Sequence, residues 1–285
     1  MLHAVSCIID SRMSNNVFKK IPTLVFYSML TGAIIVPFLF LFGTPGVPSW
    51  PTFLVIFSVS AIEVLYLFPW YKALRSIDTS ISVALFSLGK ISLPILAWLI
   101  VGEKLHGLQY VGFAIILAAS FILNFDRKKM KLNIAFWMML MVSLILALES
   151  VLDKYALNRI DFVTLMYWQT LFSMGLASSF LLFPKVRADI KKLFPAFKTK
   201  FRIFILNDAL TQFGSLAIIV ALSRLPVLVT ESISSSQSIF TILFGFIAYK
   251  LFGGAFKEHF QKKQIAKKLF FFACIIFGIV IVLWQ

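Results

Sequence analysis

Apolar blocks of about 20 residues, the length an α-helix needs to cross a bilayer core, follow one another from Pro22 to Trp284 with short polar joints between them. No other feature constrains the chain as much. The blocks are apolar all round, whereas outer-membrane strands alternate apolar and polar residues, so a barrel is disfavoured. With 60% hydrophobic residues and a mean hydropathy of +0.93, no room is left for a separate soluble domain. The expected fold is all-α and integral to the membrane. Function then has to reside in the few polar groups inside the spans, because each is expensive there.

Nine full spans are predicted: Pro22–Phe42, Pro51–Leu74, Ile77–Val101, His106–Phe125, Asn133–Leu157, Phe162–Phe183, Phe201–Leu222, Val227–Leu251 and Lys268–Trp284. Met1–Arg12 precedes them and reads as helix one truncated to a stub. It lacks the basic start and cleavage site of a signal peptide. Thr44-Pro45-Gly46-Val47-Pro48, Gly102 and Gly253-Gly254 punctuate the joints.

With the stub, the plan has ten helices, which suggests five plus five. Ala73-Leu74, Ser87 and Ile91 align at one constant offset with Ala221-Leu222, Ser235 and Ile239. Five helices per half force the halves to insert in opposite senses, which gives two inverted five-helix repeats. The expected organisation is a first repeat over 1–125, a basic joint over 126–132 and a second repeat over 133–285.

The net charge of +15 comes from 27 Lys and Arg against 12 Asp and Glu. On a soluble protein this would suggest nucleic acid. Here the basic residues sit in short joints without interleaved aromatics, so the expected partner is a bilayer with anionic lipids and no nucleic acid. They crowd the joints of one side, which is expected in the cytoplasm, and leave Lys104, Lys154, Arg159 and Arg224 on the other. The basic joint Lys185–Arg202 is predicted to lie along the membrane surface as an interfacial helix interrupted by Pro195. Cys7 and Cys274 read as small hydrophobes. His3, His106 and His259 share no ligand spacing, so neither a metal nor a cofactor is expected. No H-E-x-x-H pair and no G-x-S-x-G turn is present, and no enzyme is expected.

Val83-Ala84-Leu85-Phe86-Ser87-Leu88-Gly89-Lys90-Ile91-Ser92-Leu93-Pro94 runs into Gly102-Glu103-Lys104-Leu105 and then Gly112. A helix with a central proline, a Gly-Glu joint and a following helix with an early glycine resemble the EamA-type members of the drug/metabolite transporter superfamily. Ser238-Ile239-Phe240-Thr241, Gly245, Glu258 and Gly278 repeat the pattern more weakly. The resemblance implies ten helices in two inverted repeats and transport of small organic metabolites, with no particular substrate.

Pro94 lacks an amide hydrogen, so the carbonyl of Lys90 loses its helical partner. Gly89 leaves a notch beside it, and Lys90 adds an ammonium near mid-membrane. Together these could hold a substrate carboxylate; the alternative is an ion pair that only fixes packing. At the equivalent place in the second half stands Ser234-Ser235-Ser236-Gln237-Ser238, which must face a cavity or glue helices together. Ser87, Gly89, Lys90, Ser235 and Ser238 are thus candidate substrate contacts. Glu63 shares a helix face with Tyr66 and Trp70; Glu63 and Trp70 are further candidate substrate contacts, the alternatives being an ion pair of Glu63 with Lys90 and an interfacial belt for Trp70. Glu149, one turn before Asp153, is the candidate proton-coupling group. Asp208 and Glu231 fall near span ends, where interfacial solvation explains them. Asp10 and Asp153, placed alike beside Arg12 and Lys154, read as structural.

The expected function is a multi-pass secondary active transporter in the cell (inner) membrane. It would export small organic metabolites such as amino acids by alternating access, with a proton as the coupling ion. Two alternatives stay open: a shortened, non-transporting membrane partner protein, and a flippase for a lipid-linked substrate. The sequence carries no signal for oligomeric state.

Overall fold

The structure, a computed structural model, describes residues 1–14, 18, 20–76, 85, 88–124, 134–237, 239–240, 243–244 and 262–283. Among these, every regular element is helical. In chain order they are α1 (Leu2–Arg12), α2 (Ile21–Gly32) continued by α3 (Ile35–Leu39), α4 (Trp50–Leu74), α5 (Leu93–Val101), α6 (Gly107–Asn124), α7 (Ile134–Leu157), α8 (Phe162–Ser178), α9 (Pro184–Arg224), α10 (Val227–Ser234) and α11 (Lys262–Leu283). Among the described residues, four segments are long and apolar enough to cross a membrane: Ile21–Leu39, Trp50–Leu74, Ile134–Leu157 and Pro184–Arg224. Lys90–Val101, Gly107–Ile122 and Phe270–Leu283 are shorter apolar helices.

Local chemistry sets most of the helix ends. The Pro-Gly joint after α3 is irregular as far as Ser49, and Pro51 then occupies the first turn of α4, where a missing amide costs nothing. Asp161 caps α8, its carboxylate accepting from the amide (2.9 Å) and hydroxyl (2.6 Å) of Thr164, the usual N-cap arrangement.

α9 departs from the sequence reading. The basic joint Lys185–Arg202 and the span after it form one 41-residue helix, with Pro195 inside it. At 1.5 Å per residue this helix is about 60 Å long, twice a bilayer core. It continues because its first half has something to pack on. Ile190, Phe197 and Phe204 are buried, Phe197 stacks on Tyr27 with ring centroids 4.0 Å apart, and the Tyr27 hydroxyl donates to the Ile190 carbonyl at 2.8 Å. A partner wall for one face outweighs the proline's lost hydrogen bond.

The helices pair reciprocally. α4 packs on α7 and α8, while α9 packs on α1 and α2; α6 packs on α11. In the ten-helix count, the third helix of each half lies on the first two of the other, and the two fifth helices pair. The joint 126–132 lies outside the described residues. The α6–α11 pair is close because Gly112 faces Gly278. A Cβ on Gly112 would meet the Gly278 carbonyl oxygen at 2.9 Å, a small-residue contact of the kind that draws membrane helices together.

Polarity is arranged inside out relative to a soluble protein. Leu65, Ile95, Leu99, Trp137 and Ile276 are exposed, while Ser6, Asp10, Ser60, Asn207, Asp208 and Glu231 are buried. Such an apolar exterior suits contact with lipid, which does not penalise it.

Candidate functional site

A cavity of about 280 Å³ lies where α1, α2, α4, α7, α8, α9 and α10 converge. Six of the chain's 12 acidic residues line it: Asp10, Glu63, Glu149, Asp153, Asp208 and Glu231. Lys90, His3, Tyr66 and Trp70 line it too, as do Ser235 and the amides Asn207 and Gln169.

Lys90 reaches the cavity from the 3-10 turn Lys90–Ser92 that leads into α5. Its ammonium pairs with Glu231 Oε2 at 2.8 Å. It also donates to the Glu231 carbonyl and the Ser235 hydroxyl, both at 3.1 Å. An ammonium has three N–H donors, and these contacts use all three. The second Glu231 oxygen accepts from Ser150 at 2.9 Å. The pair joins predicted helix four to predicted helix nine and leaves no spare donor for a substrate carboxylate. Glu63, the expected partner of Lys90, instead accepts from Ser173 on α8 at 2.6 Å.

Two further parts of the helix-four expectation are corrected. The Lys90 carbonyl is not freed, because the tightened turn lets the Leu93 amide donate to it. The Gly89 notch is not open either. A Cβ there would collide with the backbone of Ser143 on α7, so the space is filled by a neighbouring helix. Ser87 and Ser238 lie outside the described residues.

The other acids are held by neutral donors. Asp10 accepts from Asn207 at 2.8 Å and from the Trp70 indole at 3.4 Å. Asp153 accepts from Gln169 at 2.6 Å. Asp208 accepts from Ser28 at 2.7 Å and also from Thr31. Glu149 lines the cavity with its Oε2 buried and unpartnered. Lys154, expected beside Asp153, donates elsewhere. Asp208 and Glu231 are 4% and 6% exposed, so interfacial solvation does not explain them. Asp208 reads as near a span end only if the helix starts at Phe201; it starts at Pro184.

The Gly-Glu joint shows what the sequence motif is for. α5 ends on Gly102, whose φ of +73° is left-handed and suits glycine. The amides of Gly102 and Glu103 close the turn onto the Trp98 and Ala97 carbonyls, each at 3.2 Å, as in other glycine-capped helix ends.

Residues 1–125, which contain these motifs, match the EamA-like transporter family. The match covers 125 of the chain's 285 residues. The family is one of transporters. A solved structure described only as "Crystal structure of protein" has a similar fold, with a TM-score of 0.61 over 99% of this chain and 95% of its own, at 14% identity. No curated protein matches the chain.

In the Gly102-Glu103 joint, Glu103 is directed at α10. Its carboxylate accepts from the Val227 amide at 2.8 Å and lies 3.9 Å from Lys154. Lys154 donates to the Leu222 and Leu225 carbonyls at 2.7 and 2.9 Å. One charge thus caps the start of α10 and the other the end of α9, each sign matching its helix dipole. Replacing Glu103 by alanine is expected to cost about 1 kcal/mol, the usual value of an N-cap, read as a lower melting temperature in detergent. An unchanged melting temperature would show that the cap contributes nothing.

The sequence reading missed Asn207 and Gln169 altogether. Their signal was present: each is an amide in an apolar span, and a polar group there needs a partner.

Proposed function

We propose that the protein is a secondary active transporter that exports small organic metabolites across the cell (inner) membrane by alternating access. The observation that carries this reading is the central polar cavity, built from helices of both halves inside an apolar exterior. Binding sites of inverted-repeat transporters lie at the repeat interface near the bilayer midplane. Glu63 and Trp70 are proposed as substrate contacts. Lys90 and Ser235 are proposed as the lock between helices four and nine on one side of the cavity, and the basic first half of α9 as a contact for anionic headgroups. Amino acids remain in the substrate class, recognised through the amine rather than through Lys90.

Glu149 is proposed to carry the coupling proton. It stands one turn before Asp153, faces the cavity and has an unpartnered oxygen. A carboxyl so placed can take a proton when open to one side and release it to the other. Glu149→Gln is expected to abolish uphill transport while leaving exchange intact. Equal loss of both would end the coupling role. The transport reading itself is tested by counterflow of labelled metabolites into proteoliposomes. Saturable counterflow supports it, and none from folded protein across amines, amino acids and organic acids would favour a non-transporting partner.

A further inference from the structure

Half of the acidic residues of a chain with net charge +15 converge on one cavity. Lys90 cancels Glu231. Among the described residues, the donors to Asp10, Glu63, Asp153 and Asp208 are all neutral. With Glu149 these make five carboxyl groups facing a common space whose other basic side chain is His3.

The five fall into two groups. Asp10 and Asp208 form the first, held by α1 and α9. Asn207, the neighbour of Asp208, donates to Asp10. Glu63, Glu149 and Asp153 form the second, held by α4 and α7. Glu149 and Asp153 are one turn apart, and Glu63 and Asp153 accept from Ser173 and Gln169, themselves one turn apart on α8. Each group contains a buried acceptor atom with no donor: Asn207 Oδ1, in a residue only 1% exposed, and Glu149 Oε2. Both residues line the cavity. A buried acceptor without a donor is costly, and a carboxylate only accepts. Both groups therefore call for N–H donors, and the surplus of acid calls for positive charge. Met29, Leu67, Leu146, Met166 and Ile218 supply apolar wall, which suits an alkyl chain.

We propose that the cavity binds an aliphatic diamine with both amines protonated, one ammonium at Asp10, Asn207 and Asp208 and the other at Glu63, Glu149 and Asp153. The inference rests on reading the cavity as the transport site. It names a substrate class recognised by acids, where the Lys90 chemistry suggested an anion.

The probe is labelled 1,5-diaminopentane, measured for equilibrium binding to purified full-length protein and for counterflow into proteoliposomes. Saturable binding is expected, weakened about tenfold or more when the competitor 1-aminopentane replaces the diamine, because one charge-assisted contact is lost. Asp208→Asn and Glu63→Gln should each remove most of this preference, bringing diamine affinity toward that of the monoamine. Either variant alone decides the point if the other fails to fold. No saturable diamine binding by folded wild-type protein overturns the proposal, and so does equal affinity for the monoamine. Counterflow separates this from the transport reading. Binding without counterflow leaves the cation site standing and removes transport. Counterflow of a neutral or acidic metabolite that diamine does not inhibit leaves transport standing and removes the cation site.

Discussion

Lys90→Met will destabilise the protein by about 3–5 kcal/mol, and Glu231→Gln by a similar amount, the cost of leaving one charge of a buried pair uncompensated. Side-chain exposures of 16% for Lys90 and 8% for Glu231 place the pair in that class. The double variant Lys90→Met with Glu231→Gln should recover most of the loss, because the remaining carboxamide can still accept from Ser150. The measurement is the melting temperature of all four proteins in one detergent. Strict additivity would mean that the two residues do not act as a pair, since contacting residues couple and distant ones do not. The same series separates a strut from a substrate contact: a Lys90 that held substrate would lose binding on substitution with little change in stability.

Gly89→Ala is the second large effect. The added methyl group would meet the Ser143 backbone as well as its hydroxyl, so α7 or the 3-10 turn must move. Overpacking of this kind costs about 1–3 kcal/mol or more. A melting temperature within a degree of wild type would mean that the contact is loose and that the notch reading deserves return. Gly102 provides a contrast. Nothing lies near a Cβ there, so its substitution by alanine is limited to the backbone strain of the left-handed conformation, about 1–2 kcal/mol.

The difference between Gly89 and Gly102 also marks what a sequence can disclose. The helices α2, α4, α7 and α8 and the turns at Pro45-Gly46 and Gly102 were legible because hydropathy, proline and glycine act locally. Lys90, Glu63, Glu149 and Trp70 stood out because an ionisable or amphipathic group in an apolar run is conspicuous on its own, and all four line the cavity. Their partners were not legible. Glu231 was assigned to an interface because its place in its own helix suggested one, yet it meets Lys90, 141 residues away. Asp208 was misjudged because the length of α9 depends on α2 offering a wall to Ile190 and Phe197.

By itself, then, the sequence determined that this chain is a bundle of membrane helices with a handful of costly polar groups inside it. Those consequences follow from the cost of taking polar backbone and charge into hydrocarbon, which each segment meets alone. Only the tertiary structure decided which acids share a cavity, which one neutralises Lys90 and which glycine is a contact rather than a gap. Those outcomes depend on distances between helices far apart in the chain, and residues that pair across such separations leave no periodic trace in the order of amino acids.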